Sequence, residues 1–127
     1  MKIYVYVNRY KGETEDFLNN REFDEIIYCD NDIINLSFLE SGDTIILFSL
    51  KSITKNLKEM LNFAQFVFDN EIEVHCADKK DDKYDDFIDT NKAIGKMMIG
   101  LWASLNRFDD EFYRNVPNGY NIKKENF

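Results

Sequence analysis

Little in this chain punctuates or repeats. One Pro and five Gly among 127 residues exclude collagen-like, low-complexity and linker character. No internal repeat is visible. No apolar run approaches the length of a bilayer span, so no membrane association is expected. Met1-Lys2-Ile3 leads into a strand-like run rather than a secretion signal. Cys29 and Cys76 are too far apart to form a metal-binding pair and suit a reduced, cytoplasmic protein. Basic residues are also scarce: 16 Lys and Arg stand against 24 Asp and Glu, a net charge of −8. A domain that binds nucleic acid unaided normally carries a basic surface, so any DNA contact by this chain alone should be weak. A glycine-rich phosphate loop is missing as well, which removes the usual nucleotide signature. No cofactor and no metal are expected.

Aromatics are plentiful. Phe 11 and Tyr 7 within a 44% hydrophobic chain supply one core and one domain. The expected domain spans 1–117. Pro117 stops the last helix and Asn118-Gly119 turns the chain into a polar tail at 118–127.

Ile3-Tyr4-Val5-Tyr6-Val7 is a continuous β-branched and aromatic run, which predicts a strand buried on both faces. Asn8 to Gly12 is a loop at its C-terminal end. Thr14 caps a short helical segment with Glu15 and Asp16 in its first turn. Glu25–Cys29 and Thr44–Phe48 are further strands, and Ile33–Glu40 shows no clear period. A helix follows, capped by Ser52 or Thr54 and carrying Ile53, Leu57, Met60, Leu61, Ala64, Val67 and Phe68 at helical spacing. Ile72–Cys76 is the fourth strand. Alternating strands and helices predict an α/β domain with a mostly parallel sheet of four to five strands covered on both faces. Functional loops then lie at the strand C-termini: Asn8–Gly12, Phe48–Lys55 and the loop after Cys76. The acidic stretch Asp78–Asp89 could offer oxygens to a divalent ion, but lysines relieve it and no glycine sits where a calcium loop needs one. It reads as a solvated loop. His75 reads as an ordinary strand residue.

The longest element is a helix entered through a polar turn between Ile88 and Phe112. Ile94, Met97, Met98, Leu101, Leu105, Phe108 and Phe112 share one face. Ile99, Trp102 and Ala103 form a second apolar face. A surface helix needs only one, so the other is expected to meet a partner or to be sunk in its own domain.

Two of these stretches resemble the catalytic domain of the serine recombinases, the resolvases and DNA invertases. Gly42-Asp43-Thr44-Ile45-Ile46-Leu47-Phe48, running into Ser49-Leu50-Lys51-Ser52-Ile53-Thr54-Lys55-Asn56-Leu57, is similar to that family's G-D-T strand and the L-D-R-L-G-R segment after it. Ile88-Asp89-Thr90 through Gly95 to Phe108 resembles the motif that opens its long dimerisation helix. Tyr4-Val5-Tyr6-Val7 resembles its first strand. The resemblance implies a three-layer domain with strand order 2-1-3-4 and a long C-terminal dimerisation helix.

The resemblance also implies chemistry that these residues do not carry. In that family a serine hydroxyl attacks a DNA phosphodiester while arginines hold the phosphate. The serine position aligns with Tyr10 and an arginine two places earlier with Asn8. Lys51 takes the place of an aspartate, and Ser52 and Lys55 take those of two arginines. Another arginine-bearing segment has no counterpart in Asp30–Ser41, and a glutamate and arginine fall near Asn115 and Val116. Only Tyr6 and the cation Lys55 match in kind, and Lys lacks the planar fork of Arg. The vestigial positions are therefore Tyr6, Asn8, Tyr10, Lys51, Ser52 and Lys55. A Tyr10 nucleophile would need an arginine cluster, and only Arg9 is near in sequence. Ser52 reads better as a helix cap. The family usually adds a DNA-binding module after the long helix, and this chain is expected to lack one.

The expected function is that of a catalytically inactive recombinase-like domain. It would act by association, as a homodimer or as a heterodimer with a recombinase, and bear on DNA recombination. The expected interface residues are Ile94, Met97, Met98, Ile99, Leu101, Trp102, Leu105 and Phe108. The alternative is an active recombinase fragment with diverged catalytic residues. A small-molecule domain is a third option. Lys51, Lys55 and Lys58 form the short cationic run where DNA would touch, with steep salt dependence.

Overall fold

In the computed structural model the described residues are 1–77 and 83–115, with side chains described at 1–77 and 84–112. Asp78, Asp81, Asp82, Pro117, the 117/118 boundary and the polar tail lie outside them.

Four strands, β1 (Ile3–Asn8), β2 (Glu25–Cys29), β3 (Thr44–Leu47) and β4 (Glu73–Cys76), form one parallel sheet in the order β2-β1-β3-β4. The expected α/β class and strand order are both present. β1 is central, and Tyr4, Val5, Tyr6 and Val7 are all buried. The two-residue period of a strand sends Tyr4 and Tyr6 to one face and Val5 and Val7 to the other. The first face, with Ile45, Leu47, Val74 and Cys76, packs against Phe63, Val67 and Ile99. Those three come from helices α1 (Leu57–Asp69) and α2 (Ala93–Asn115). The second face, Val5, Val7 and Ile46, meets Phe17 and Leu18. They lie on or beside a one-turn 3-10 segment, Glu15–Leu18, capped by Thr14 as expected. Asn19 and Asn20 adopt positive φ and end that turn.

The helix after β3 starts later than expected. Ser52 and Thr54 do not cap it. Asn56 does, its side chain accepting from Glu59 N at 2.9 Å. The preceding residues form a 3-10 turn, Leu50–Ser52, closed by a capping box between Ser49 and Ser52. Leu57 and Phe68, two of the expected apolar helix positions, are exposed. Residues 33–40 contain no helix.

Asp43 fastens one end of the sheet. Its carboxylate accepts from Lys2 N at 2.9 Å and Glu40 N at 2.8 Å. Those backbone hydrogen bonds hold its pKa below the ordinary range. Gly42 precedes it with φ +86°, a conformation that glycine adopts without strain.

Candidate functional site

The strand C-termini of β1 and β3 bring Asn8, Ser49 and Ser52 together, all three buried. Asn8 Nδ2 donates to Ser52 O at 2.7 Å. Asn8 N donates to Glu13 Oε1 at 3.1 Å, and Glu13 N returns to Asn8 O at 3.1 Å. The Ser52 hydroxyl donates to the other Glu13 oxygen and accepts from Ser49 N at 3.2 Å. Asp85 closes the far side, with Oδ1 accepting from Leu50 N at 3.0 Å and from the Ser49 hydroxyl at 3.3 Å. Asn8 and Ser52 are thus joined to each other through the Glu13 carboxylate.

The other expected site residues do not gather into a reaction centre. Tyr6 is almost fully buried, with its hydroxyl beside the Cys29 thiol. Burial first, then the neighbouring Cys29 thiol and Glu13 carboxylate, push its phenol well above the ordinary tyrosine range. The Cys29 thiol itself donates to Asn31 O at 3.0 Å. Both effects favour the protonated phenol. Tyr10 sits on a one-turn segment, Arg9–Lys11, and is 60% exposed. The Arg9 guanidinium is forked onto Asp30 at 2.7 and 2.8 Å and lies 4.1 Å above the Tyr28 ring. It is committed away from any phosphate beside Tyr10.

The cationic run is dispersed. Lys58 donates to Asn106, Asp109 and Asp110 at 2.7, 2.9 and 3.1 Å. Its burial alone would lower the ammonium pKa, but the two carboxylates outweigh that and raise it. Lys55 lies 3.8 Å from Asp32, and Lys51 is exposed while its carbonyl accepts from Lys11 Nζ. Within the run Lys51, Lys55 and Lys58, Lys58 is turned onto α2. Two open hollows flank the cluster. One, of about 410 Å³, is lined by Glu13, Phe17 and Phe48. The other, of about 470 Å³, is lined by Ile34, Leu36, Ile53, Lys55, Phe63 and Phe66. Neither gathers cations.

Sequence reasoning missed Glu13 and Asp85. Gly12, left-handed at φ +83°, was the available signal for Glu13, because a turn there folds the next residue back over the strand end. No local signal marks Asp85, whose carboxylate meets Ser49 and Leu50 from far away in sequence.

The second expected motif is structural too. Thr90 N donates to Val74 O at 2.7 Å, and Thr90 Oγ1 accepts from Val74 N at 2.9 Å. Asp89 Oδ1 accepts from Asn91 N at 2.9 Å. An added Cβ on Gly95 would lie 2.0 Å from Asp89 O, so only glycine allows the turn to seat on α2. His75 is half-buried on β4. Burial lowers its pKa, with Asp89 and Glu73 opposing and Arg21 assisting.

α2 separates its two apolar faces. Ile99 and Ala103 are buried within the domain, and Trp102 packs on the same core. Ile99 therefore leaves the expected interface set, since its own core already covers it, and Trp102 is largely engaged. The opposite face, Ile94, Met97, Leu101, Leu105, Phe108 and Phe112, is exposed by 41 to 65%. Met98 is half-buried at its border.

The family model described as Resolvase, N terminal domain, matches residues 34–120. That is more than half of the chain, and it takes in the Gly42-Asp43-Thr44 strand and the Ile88-Asp89-Thr90 turn. The chain belongs to the resolvase N-terminal domain family. The matched span of this resolvase-family domain includes Lys51, Ser52 and Lys55 but not Tyr6, Asn8 or Tyr10. A search of curated proteins returned no match. Among the described residues no helix of the domain is long and apolar enough to cross a membrane.

Proposed function

We propose that this resolvase-type domain has lost strand cleavage and acts by association through α2, with a second copy or with an active recombinase, so bearing on DNA recombination. The observation that carries this reading is the exposed apolar stripe on α2. Monomeric surfaces rarely leave such a continuous patch bare. Full burial of a Leu, Met or Phe side chain contributes roughly 1.5–3 kcal/mol. These residues are about half exposed, so each still has a substantial part of that to gain. A few of them at the centre of an interface form a hot spot.

Loss of chemistry is supported by the closed Asn8–Glu13–Ser52 network and by the commitment of Arg9 to Asp30. Strand cleavage needs a nucleophile within reach of an anion clamp. Here the clamp positions hold an anion already. DNA contact by the isolated domain is weak and strongly salt-dependent.

The test is a supercoiled plasmid carrying recombination sites, incubated with purified protein. Neither nicking nor a covalent protein–DNA adduct is expected. An adduct that Tyr10→Phe abolishes would reinstate the alternative, an active recombinase with diverged catalytic residues.

A further inference from the structure

We propose that Asn106 selects which side of α2 turns inward, against the more apolar side of the same helix. The proposal concerns the single domain and holds whether or not the exposed stripe finds a partner.

Apolar burial alone would orient α2 the other way. The side packed on the domain carries Gly95, Ile99, Ala103 and Asn106, with Trp102 half-buried at its flank. That is one aliphatic side chain, one ring, two small residues and an amide. The opposite side carries Met97, Leu101, Leu105 and Phe108, each 48 to 65% exposed. At 3.6 residues per turn the two sets lie on opposite sides of the helix. Burial favours the larger apolar area, so turning α2 about its axis would cover more of it. Gly95 does not prevent that. Its missing side chain lets α2 approach the Asp89 carbonyl, which permits the observed orientation but sets no penalty on another.

Asn106 supplies the preference. It is 2% exposed, and its amide is engaged through both atoms. Nδ2 donates to Asn62 Oδ1 at 3.1 Å and to Gln65 Oε1, and Oδ1 accepts from Lys58 Nζ at 2.7 Å. Lys58, Asn62 and Gln65 follow one another along α1 at steps of four and three, which puts them in one polar stripe. Asn106 bonds to all three.

The same α1 stripe works against the turned helix. It would then meet Leu101, Leu105 and Phe108. Lys58 Nζ would lose Asn106 together with Asp109 and Asp110, which it now reaches at 2.9 and 3.1 Å. A part-buried ammonium facing hydrocarbon without acceptors is strongly disfavoured. A single buried asparagine can fix one arrangement of packed helices against an apolar competitor in this way. The consequence is a helix that keeps its larger apolar side outside.

Ala103→Cys and Leu105→Cys report on the two sides, because Ala103 is 0% and Leu105 48% exposed. Each is made with Asn106 and with Asn106→Ala, and thiol labelling is timed at submicromolar protein. Cys29 and Cys76 are buried, and proteins without the added cysteine give their background. Alanine is a strong helix former, so circular dichroism should show the helix content retained. With Asn106 in place, the thiol at position 105 labels fast and that at 103 slowly. In Asn106→Ala the thiol at 103 should label many-fold faster and that at 105 several-fold slower. Fraying of α2 would speed both, so faster labelling at both positions refutes face selection, as does no change at either. Should Ala103→Cys fail to fold, iodide quenching of Trp102, the single tryptophan, takes its place. Stronger quenching with slower labelling at 105 is then expected, and unchanged quenching overturns the proposal. Should Asn106→Ala fail to fold, Lys58→Met removes the cation from the other side and is measured against the same two outcomes.

Discussion

Thr90 completes the open edge of β4 by pairing with Val74 as a strand residue would. Its N–H donates to the Val74 carbonyl at 2.7 Å and its hydroxyl accepts from the Val74 N–H at 2.9 Å. One residue thus satisfies both outward-facing backbone groups of Val74 and fixes where α2 begins. Asp43 does comparable work between the starts of β1 and β3. The residues that carry the family resemblance are therefore the ones that hold the scaffold together.

Gly95 is the most demanding of these positions. Gly95→Ala drives a methyl into the Asp89 backbone and should cost at least about 2 kcal/mol. At Gly100 the same change meets only Phe68 at 3.5 Å. Gly100→Ala should be neutral or stabilise by about 0.5–1 kcal/mol, the helix-propensity gain. Urea unfolding midpoints of the two variants separate these outcomes.

The Asp43 carboxylate has a lower pKa in the folded protein than in the unfolded chain, held down by two backbone N–H donors. Its stabilising effect is complete above the unfolded value, about 3.9. It is lost as pH falls from there through the folded value. Asp43→Asn should weaken the protein near neutrality and flatten its loss of stability below about pH 4. Denaturation midpoints at pH 6, 4 and 3 test this. Parallel acid losses in both proteins would contradict it.

Glu13 holds Asn8 N and the Ser52 hydroxyl at once. Glu13→Ala leaves both donors without an acceptor and should cost about 1–3 kcal/mol. Glu13→Gln keeps one carbonyl acceptor and should cost less. Neither change should produce plasmid nicking, because no arginine enters the site.

The sheet was legible because its signals are local. An unbroken apolar run marks β1 as central, and strand–helix alternation marks the sheet as parallel. α2 was legible as a helix with two apolar faces. Which face turned inward was not, because that depends on Gly95 seating on Asp89 and on Asn106 bonding to Asn62, contacts set by tertiary structure. The start of α1 was misplaced because Ser52 and Thr54 have the right residue type for a cap, while the chain uses Asn56. At the candidate site Asn8 and Ser52 could be singled out in sequence. The carboxylate that bridges them could not, because Glu13 and Ser52 meet only once β1 and β3 pair.

The most direct test of association is sedimentation equilibrium of wild type beside Leu101→Glu, at concentrations from one to several hundred micromolar. Leu101 is 51% exposed in the single domain, so the substitution should leave the fold intact, as circular dichroism would confirm. Wild type should show twice the chain mass at the upper concentrations, and Leu101→Glu should remain a folded monomer. Wild type at the single-chain mass throughout, or a Leu101→Glu dimer as tight as wild type, would contradict self-association through the exposed face of α2.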